Sequence, residues 1–333
     1  MKKSLIIVLA LLMSLTLFSG CVKKDTDNGE EPNETAQTTV RLGLIKGPTG
    51  MGASYLLEKS EKGETVNIYE TSLANEPSDM IAMVANGSVD IAAVPTNSAS
   101  ALYNKTSGAV QLLALNTGCV LKILEQGETI DKMSDLKGRT IYATGQGANP
   151  EYILNYMLEQ YGLKAGEDVT VEYLDSAELT TKAASGEIDL CMLPVPAATT
   201  VLMKNDKMRL ALSLEEEWNH MNRATLVTMG CVVVRREFAE ANPQAVEAFL
   251  KEYGESINYV VENPTEGGKL CAKFEIVASD KIAEKAIEDA ELIFIADERI
   301  PVIIKDYYQI PFDADPKSVG GKLPGEDFYY TAQ

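Results

Sequence analysis

The chain has 333 residues, of which 45% are apolar and 24% are charged, a composition typical of a globular protein with room for two domains. Thirty Lys and Arg residues stand against 49 Asp and Glu residues, so the formal net charge is −19 at pH 7. A surface of this charge repels phosphate backbones and no basic stripe interrupts it, which argues against nucleic acid as a partner.

Residues 1–20 have the pattern of an export signal. Lys2 and Lys3 precede an apolar run that is too short to span a bilayer comfortably. The run ends in Leu-Phe-Ser-Gly before Cys21, which resembles a bacterial lipoprotein signal whose cysteine is acylated. We therefore predict a signal peptide over 1–20 and lipidation at Cys21. A plain secretory signal or a short anchor, with Cys21 incidental, is the alternative.

Residues 21–39 carry almost no apolar side chains. Such a segment buries too little surface to offset the entropy lost on ordering, so it is predicted to be a disordered tether. Together the two segments place the protein outside the cytoplasm, anchored to the cell membrane by lipid.

From Val40 onwards, short apolar strands alternate with helical stretches, which predicts parallel βαβ units with helices on both faces of a sheet. A second round of the same parts begins near Thr140. After Asn205 this repetition stops, and strand-like segments lead to a long amphipathic helix that begins at Asn242-Pro243. Its apolar stripe is predicted to pack against a sheet.

The two rounds are copies of one another. ANGSVDIAAVPTNSASALYNK, at 85–105, aligns without a gap to ASGEIDLCMLPVPAATTVLMK, at 184–204, so the copies are offset by 99 residues. Gly87 aligns with Gly186, and Asp90 aligns with Asp189. The sequence therefore predicts two similar βα units arranged the same way in two halves.

Three further features lead to a known family: the phrase DLKGRTIYATGQGANPEYILNYMLEQYGL, the paired G-x-(V/I)-D strands and the phrase VVVRREFAEANPQAVEAFLKEY. With the signal and the tether, they resemble the substrate-binding lipoproteins of ABC importers. Within that group the chain is most similar to the nitrate/sulfonate/taurine and thiamine-precursor-binding branch, which has the type II periplasmic-binding fold.

This resemblance implies two doubly wound α/β lobes joined by a two-crossover hinge. Lobe I would comprise 40–118 and a return over 223–333, and lobe II would comprise 119–222. The resemblance also implies a monomer that captures a small organic molecule between its lobes by hinge closure and delivers it to a permease and its ATPase.

Ligands of open α/β sheets lie beyond the carboxyl ends of the strands. The loops GPTGMG and GQGANP follow the first strand of each lobe and each deliver a helix N-terminus there, which favours a polar acceptor. Trp218 lies beside the sole His of the chain, near the return crossover. The predicted ligand-binding residues are Thr49, Gly50, Met51, Asn75, Thr96, Asn97, Gln146, Asn149, Pro196 and Trp218. For each single residue, a turn, a cap or core packing is the alternative role.

The two copies disagree at Thr96-Asn97 against Val195-Pro196, so we expect specificity to reside there. Lobe I is expected to hold the polar end of the ligand, and lobe II is expected to close over an apolar part. Tyr69, Tyr142 and Tyr152 could stack on a planar ligand or could be core residues. Few cations lie near these loops, Lys46 and Arg223 among them, which favours a neutral heterocycle over an inorganic anion.

Enzymatic and metal-binding motifs are missing from the sequence. The chain has one His and none of the patterns HExxH, CxxC, GxSxG or a Walker loop. We therefore predict no catalytic residue, no metal site and no cofactor. An enzyme on the same fold, such as a menaquinone-pathway dehydratase, and a ligand-sensing module for a membrane receptor are the rival functions. Cys119 and Cys231 both lie near predicted crossovers, where a disulfide or free thiols are the alternatives.

Overall fold

A computed structural model of the chain describes residues 37–221 and 225–331. The predicted signal peptide, the predicted lipidation site Cys21 and most of the predicted tether lie outside the described residues, as does Arg223.

The described residues form eleven strands in two sheets. In chain order the strands are β1 (Thr39–Ile45), β2 (Ile68–Ala74), β3 (Ile91–Pro95), β4 (Val110–Thr117), β5 (Leu121–Gln126), β6 (Thr140–Ala143), β7 (Thr170–Tyr173), β8 (Leu190–Pro194), β9 (Met208–Ser213), β10 (Gly230–Arg235) and β11 (Leu292–Ile295).

The described residues also form fourteen α-helices. They are α1 (Pro48–Met51), α2 (Ser54–Glu61), α3 (Pro77–Ala85), α4 (Thr96–Lys105), α5 (Asn149–Gln160), α6 (Ser176–Ser185), α7 (Ala197–Lys204), α8 (Leu214–His220), α9 (Arg236–Ala241), α10 (Pro243–Glu262), α11 (Pro264–Lys273), α12 (Asp280–Asp289), α13 (Ile300–Ile303) and α14 (Lys305–Ala314). Short 3₁₀ turns cover Met133–Leu136, Pro316–Val319 and Glu326–Phe328.

The two sheets have the same internal order. The six-stranded sheet runs β11-β4-β10-β3-β1-β2, and the five-stranded sheet runs β7-β6-β8-β5-β9. Apart from β11, each strand of the first sheet therefore has a counterpart in the second. We call the first sheet with its helices lobe I and the second sheet with its helices lobe II. The predicted fold class, two α/β lobes joined by two crossovers, is confirmed.

In each sheet one inner strand runs against both of its neighbours, and in lobe I the edge strand β11 is also antiparallel to β4. β10 is antiparallel to β3 and β4, and β5 is antiparallel to β8 and β9. The chain enters lobe II through β5 directly after β4, and it returns to lobe I through β10. The expected parallel βαβ units are present in both sheets, and the strands that cross between the sheets run antiparallel to them.

The predicted offset of 99 residues extends to helices and glycines. α3 begins at Pro77 and α6 begins at Ser176, and a glycine with positive φ follows each helix, Gly87 at 79° and Gly186 at 81°. Glycine adopts this left-handed conformation without the steric cost that a Cβ would add, which explains why both copies use it to end the helix.

The long helix α10 covers lobe I as its apolar stripe predicted. Val246, Phe249, Tyr253, Ile257 and Val260 are buried in a cluster that also contains residues of β1 and β10. The burial of a continuous apolar face against the sheet stabilises this layer.

The aligned aspartates of the repeat have different environments. Asp90 is 3% exposed, and its carboxylate accepts hydrogen bonds from the backbone N–H and Nε of Arg41 at 3.1 and 2.8 Å. Arg235 on β10 approaches the same carboxylate at 3.4 Å. Asp189 is exposed in lobe II. The Asp90 carboxylate therefore ties β1 and β10 to the start of β3. The exposed side chain of Asp189, its copy in lobe II, does not connect strands in this way.

This difference predicts unequal effects of the same substitution. Asp90→Asn removes the charge that two arginines share, and it should lower the free energy of unfolding by about 1–3 kcal/mol. Asp189→Asn changes an exposed side chain and should alter stability by less than about 0.5 kcal/mol. Urea denaturation of both variants measures the two effects. Equal losses would contradict the role assigned to Asp90.

Candidate functional site

A cavity of about 990 Å³ lies between the lobes. It is lined by residues that follow β1, β2 and β3 in lobe I, such as Thr49, Pro77 and Asn97, and by residues that follow β6, β7 and β8 in lobe II, such as Asn149 and Pro196. This cleft therefore occupies the place where the carboxyl ends of the parallel strands of both sheets face one another.

Helices of both lobes begin at the cleft. Residues in the first turn of α3, α4, α5, α6 and α7 line it. The first N–H groups of a helix lack partners within the helix, and the helix dipole adds partial positive charge there. Among these helices, a side-chain cap is present at α6, where Asp175 accepts from the Ala177 N–H at 2.8 Å. The cleft thus offers several backbone donors to oxygen acceptors of a ligand.

The charged side chains at the cleft are few and exposed. Among the described residues that line the cleft, Lys46 is the one basic residue. Its ammonium group is exposed and makes no ion pair with any described residue. Glu76 and Asp175 also line the cleft, and they are related by the 99-residue offset because each directly precedes its helix. A single free ammonium and repeat-related carboxylates make this a weakly charged site.

Four of the predicted site residues line the cleft. They are Thr49, Asn97, Asn149 and Pro196. Asn149 is 5% exposed, and its Nδ2 donates to the hydroxyl of Tyr307 on α14 at 2.7 Å. The amide oxygen of Asn149 is buried without a hydrogen-bond partner among the described residues.

Three predicted residues lie beneath the surface of the cleft. Met51 is fully buried in the core of lobe I, and Gly50 packs so closely that a Cβ would lie 2.4 Å from the Ile45 carbonyl oxygen. Thr96 is fully buried, and its hydroxyl is 3.0 Å from that of Thr228. Each belongs to a segment that reaches the cleft, but its side of the helix turn faces the protein interior.

Asn75 and Gln146 are exposed and lie outside the cleft lining, although their chain neighbours Glu76 and Gly145 line it. Here the strand-end rule located loops that reach the cleft, and the residue that lines the cleft is one position away from the predicted one.

Trp218 is placed away from the cleft. The ring is fully buried, its Nε1 donates to the Thr225 carbonyl at 2.7 Å, and its centroid is 5.8 Å from that of Tyr156. Packing between α5 and α8 therefore occupies the ring, and Trp218 is absent from the cleft lining, so the structure gives its predicted ligand contact no support.

The tyrosines considered for stacking also belong to other environments. Tyr69 is buried in the core of lobe I, Tyr142 packs against the core of lobe II, and the Tyr152 hydroxyl donates to the Gly147 carbonyl at 2.8 Å. No aromatic side chain is found among the described residues that line the cleft. A planar ligand would therefore find no aromatic ring to stack on in this conformation.

The sequence interpretation missed hydroxyl groups of lobe II. Ser176, Thr180, Thr181 and Thr200 line the cleft. The first three lie on one face of α6, as their helical spacing of four or five residues could have indicated. Lobe II therefore presents hydroxyl groups beside the apolar side chains of Val195 and Pro196, so its wall of the cleft is more polar than we expected.

The crossovers meet at a polar cluster. Lys122 on β5 is 4% exposed and forms an ion pair with Glu291, just before β11, at 3.2 Å. Its Nζ also donates to the Ser213 hydroxyl at 2.9 Å. Glu215 on α8 accepts from the Cys119 N–H at 3.0 Å, and burial raises the pKa of its carboxyl group. Through the ion pair between Lys122 and Glu291, this cluster joins lobe II to lobe I beside the segment between β4 and β5.

The four described cysteines are buried and free. The alternative of a Cys119–Cys231 disulfide is therefore wrong for this structure. Burial raises the pKa of both thiols to about 12, so they remain protonated and unreactive at neutral pH.

Neither a metal site nor a membrane-spanning helix was found in the described part of the chain. Residues 37–221 and 225–331 contain no group of three or more His, Cys, Asp or Glu side chains able to hold a metal ion. The helices of those same residues are too short or too polar to cross a membrane.

Comparison with protein families gives a match over residues 60–267, more than half of the chain, to the model described as NMT1/THI5 like. The chain belongs to the NMT1/THI5-like family. Proteins of Brucella abortus and Brucella suis that are named as binding proteins are 26% identical to it over 175 residues. The alignment covers 52% of this chain and 52% of each relative, so the chain spans about half the length of these curated relatives.

Solved structures share the fold of this NMT1/THI5-like protein. An ABC transporter protein from Parabacteroides distasonis has a TM-score of 0.73 at 20% identity and covers 89% of this chain and 100% of its own. The periplasmic aliphatic sulphonate binding protein of Escherichia coli has a TM-score of 0.70 at 16% identity, with 90% and 94% covered. The periplasmic nitrate-binding protein of Synechocystis has a TM-score of 0.53 at 16% identity, with 80% and 75% covered. These likenesses confirm the predicted resemblance at the level of the fold.

The buried thiols predict a simple labelling result. In the native protein at about pH 8, a thiol reagent should leave the four described cysteines unmodified, because burial keeps their thiols protonated and inaccessible. In strong denaturant all of them should react without prior reduction. Failure of Cys119 and Cys231 to react in unreduced, denatured protein would instead indicate the disulfide.

The polar cluster at the crossovers predicts a pH effect. A carboxyl whose pKa is raised on folding binds its proton more tightly in the folded state, so Glu215 should cost stability as pH rises above its ordinary value of 4.5. Glu215→Gln keeps an acceptor for the Cys119 N–H and should remove this part of the pH dependence. Thermal unfolding between about pH 4 and 8 tests it, with Glu216→Gln on the exposed face as the control. Identical pH profiles for both variants would contradict the assignment.

Proposed function

We propose that the protein is the solute-binding component of an ABC importer, which captures a small organic molecule between its lobes and delivers it to a membrane permease and its ATPase. The observation that carries the proposal is the cleft of about 990 Å³ that helices of both lobes enter with their N-termini. Neither lobe alone encloses this site. The structural relatives include proteins that are named as sulphonate-binding and nitrate-binding, which is consistent with the proposed function.

Hinge closure is the proposed mechanism. Two segments join the sheets, one between β4 and β5 and one between β9 and β10. Contacts that a solute makes with both lobes exist only when the lobes are close together, so binding shifts the population towards the closed state. The closed surface then differs from the open one, which allows a permease to distinguish loaded from empty protein.

The cleft favours a ligand with oxygen acceptors at one end and an apolar body. Backbone N–H groups at the helix N-termini, the Thr49 hydroxyl and Lys46 can hold the acceptors, while Val120, Val195 and several prolines supply apolar surface. Sulfonates, carboxylates and heterocycles with carbonyl groups all have such acceptors. Because no aromatic ring lines the cleft among the described residues, stacking does not support the expected preference for a heterocycle.

The proposal includes the cellular setting that the sequence predicts. We propose that Cys21 carries the lipid anchor and that the monomeric protein works outside the cytoplasm without catalytic activity of its own. Support comes from the signal-like segment before Cys21 and from the binding proteins, rather than enzymes, among the structural relatives.

A ligand screen tests the proposal. The panel contains ethanesulfonate, taurine, nitrate, thymine and riboflavin, each added in large excess to the purified protein. Saturating binding to the folded state should raise the melting temperature by about 3 °C or more for at least one compound. Absence of any shift across the panel would count against solute binding.

A pair of asparagines tests where the solute binds. Asn97→Ala removes an amide from the cleft lining and should weaken binding of a panel compound about tenfold, or about 1.4 kcal/mol. Asn75→Ala removes an exposed amide outside the lining, and it should change affinity by less than about twofold. Isothermal titration measures both. Equal effects would show that the solute does not occupy the proposed part of the cleft.

A further inference from the structure

Adjacent tyrosines on α14 reach the loops that form the cleft from below. Tyr307 is fully buried, and its hydroxyl accepts a hydrogen bond from Asn149 Nδ2 of lobe II at 2.7 Å. Tyr308 is 2% exposed, and its hydroxyl donates to the Thr96 carbonyl of lobe I at 3.0 Å. α14 therefore makes one hydrogen bond to the N-terminus of α5 and a second hydrogen bond to the N-terminus of α4.

α14 is attached to lobe I by the 3₁₀ turn that follows it. The Ser100 hydroxyl and the Asn104 side-chain amide, both on α4, donate to the Val319 carbonyl at 3.2 and 2.7 Å. The Tyr308 bond adds a further attachment to the same helix. The bond between Tyr307 and Asn149 consequently links a helix held by lobe I to the cleft wall of lobe II.

Asn149 depends on Tyr307 for its orientation. Among the described residues, the Asn149 side chain makes one hydrogen bond, which its Nδ2 donates to the Tyr307 hydroxyl. Its amide oxygen has no partner there. Burial raises the pKa of Tyr307 far above its ordinary value, and the hydrogen bond from Asn149 partly offsets that rise. The hydroxyl therefore stays neutral at physiological pH and remains an acceptor for the Asn149 amide.

We propose that Tyr307 is a positioning residue of the cleft, which holds the Asn149 amide and the N-terminus of α5 in place without touching the solute. This inference rests on the proposed function, because it assumes that the cleft is the solute site. Tyr307 couples solute affinity to the packing of α14, a helix that lies outside the cleft lining. The neighbouring Tyr308 has the same chemistry and burial but serves lobe I alone.

The matched variants Tyr307→Phe and Tyr308→Phe test the inference in the full chain without a ligand. Each removes one buried hydroxyl and leaves the ring in place. Hydrogen–deuterium exchange should increase at least about fivefold over residues 144–156 in Tyr307→Phe and change less than about twofold there in Tyr308→Phe. Unchanged exchange in Tyr307→Phe, or the same increase in both variants, would overturn the positioning role.

Binding of ethanesulfonate and thymine provides the second readout. For a probe that the unmodified protein binds, Tyr307→Phe should weaken affinity about tenfold and Tyr308→Phe less than about twofold, even if both lower the melting temperature equally. The double variant Asn149→Ala/Tyr307→Phe should bind as weakly as Asn149→Ala alone, because Tyr307 acts through Asn149. Additive losses of affinity in the double variant would contradict an effect of Tyr307 through Asn149.

The two readouts separate this inference from the proposed function. If the expected exchange pattern appears while the unmodified protein binds no compound of the full panel, the positioning of α5 by Tyr307 is supported and the solute-binding function is contradicted. If the unmodified protein binds a probe and exchange over 144–156 is unaffected by Tyr307→Phe, the function stands and the role of Tyr307 is contradicted.

Discussion

The rest of the structure depends on the exchange of one strand between the sheets. β5 completes the sheet of lobe II immediately after the chain leaves lobe I, and β10 completes the sheet of lobe I after the chain returns. Because each crossing strand is hydrogen-bonded on both sides within its new sheet, the two connections are firmly held at both ends. The carboxyl ends of the parallel strands of both sheets consequently face one cleft.

The chemistry of the cleft follows from that arrangement. Parallel strands deliver helix N-termini to the same place, and two facing sheets double the number of helices that do so. The site can therefore bind acceptor atoms with backbone groups, and it needs few charged side chains. This explains how a chain with a net charge of −19 can present hydrogen-bond donors to a polar solute: local donors, rather than the overall charge, determine what a pocket binds.

The sequence predicted the fold more completely than the site. The 99-residue offset revealed both lobes because glycine and strand positions in a repeat obey the same backbone constraints, as Gly87 and Gly186 show. The strand-end rule found the cleft loops, and within them Thr49, Asn97, Asn149 and Pro196. It failed at Met51 and Thr96 because successive helical residues point about 100° apart, so a neighbour of a lining residue is often a core residue.

Other features could not be read from single residues. Trp218 attracted a functional interpretation because the chain has one Trp, but rarity carries no information about burial. The bond between Tyr307 and Asn149 joins positions 158 residues apart, and no local pattern in either segment predicts it. Such contacts depend on how α14 packs across both lobes, which is a property of the tertiary structure.

A crystal structure of the protein with a bound compound from the ligand panel tests the central claim most directly. The account predicts electron density for the compound between the lobes, in contact with residues of both, with its oxygen acceptors at the helix N-termini. Density confined to one lobe, or located in the separate groove of about 360 Å³ between α5 and α14, would contradict it.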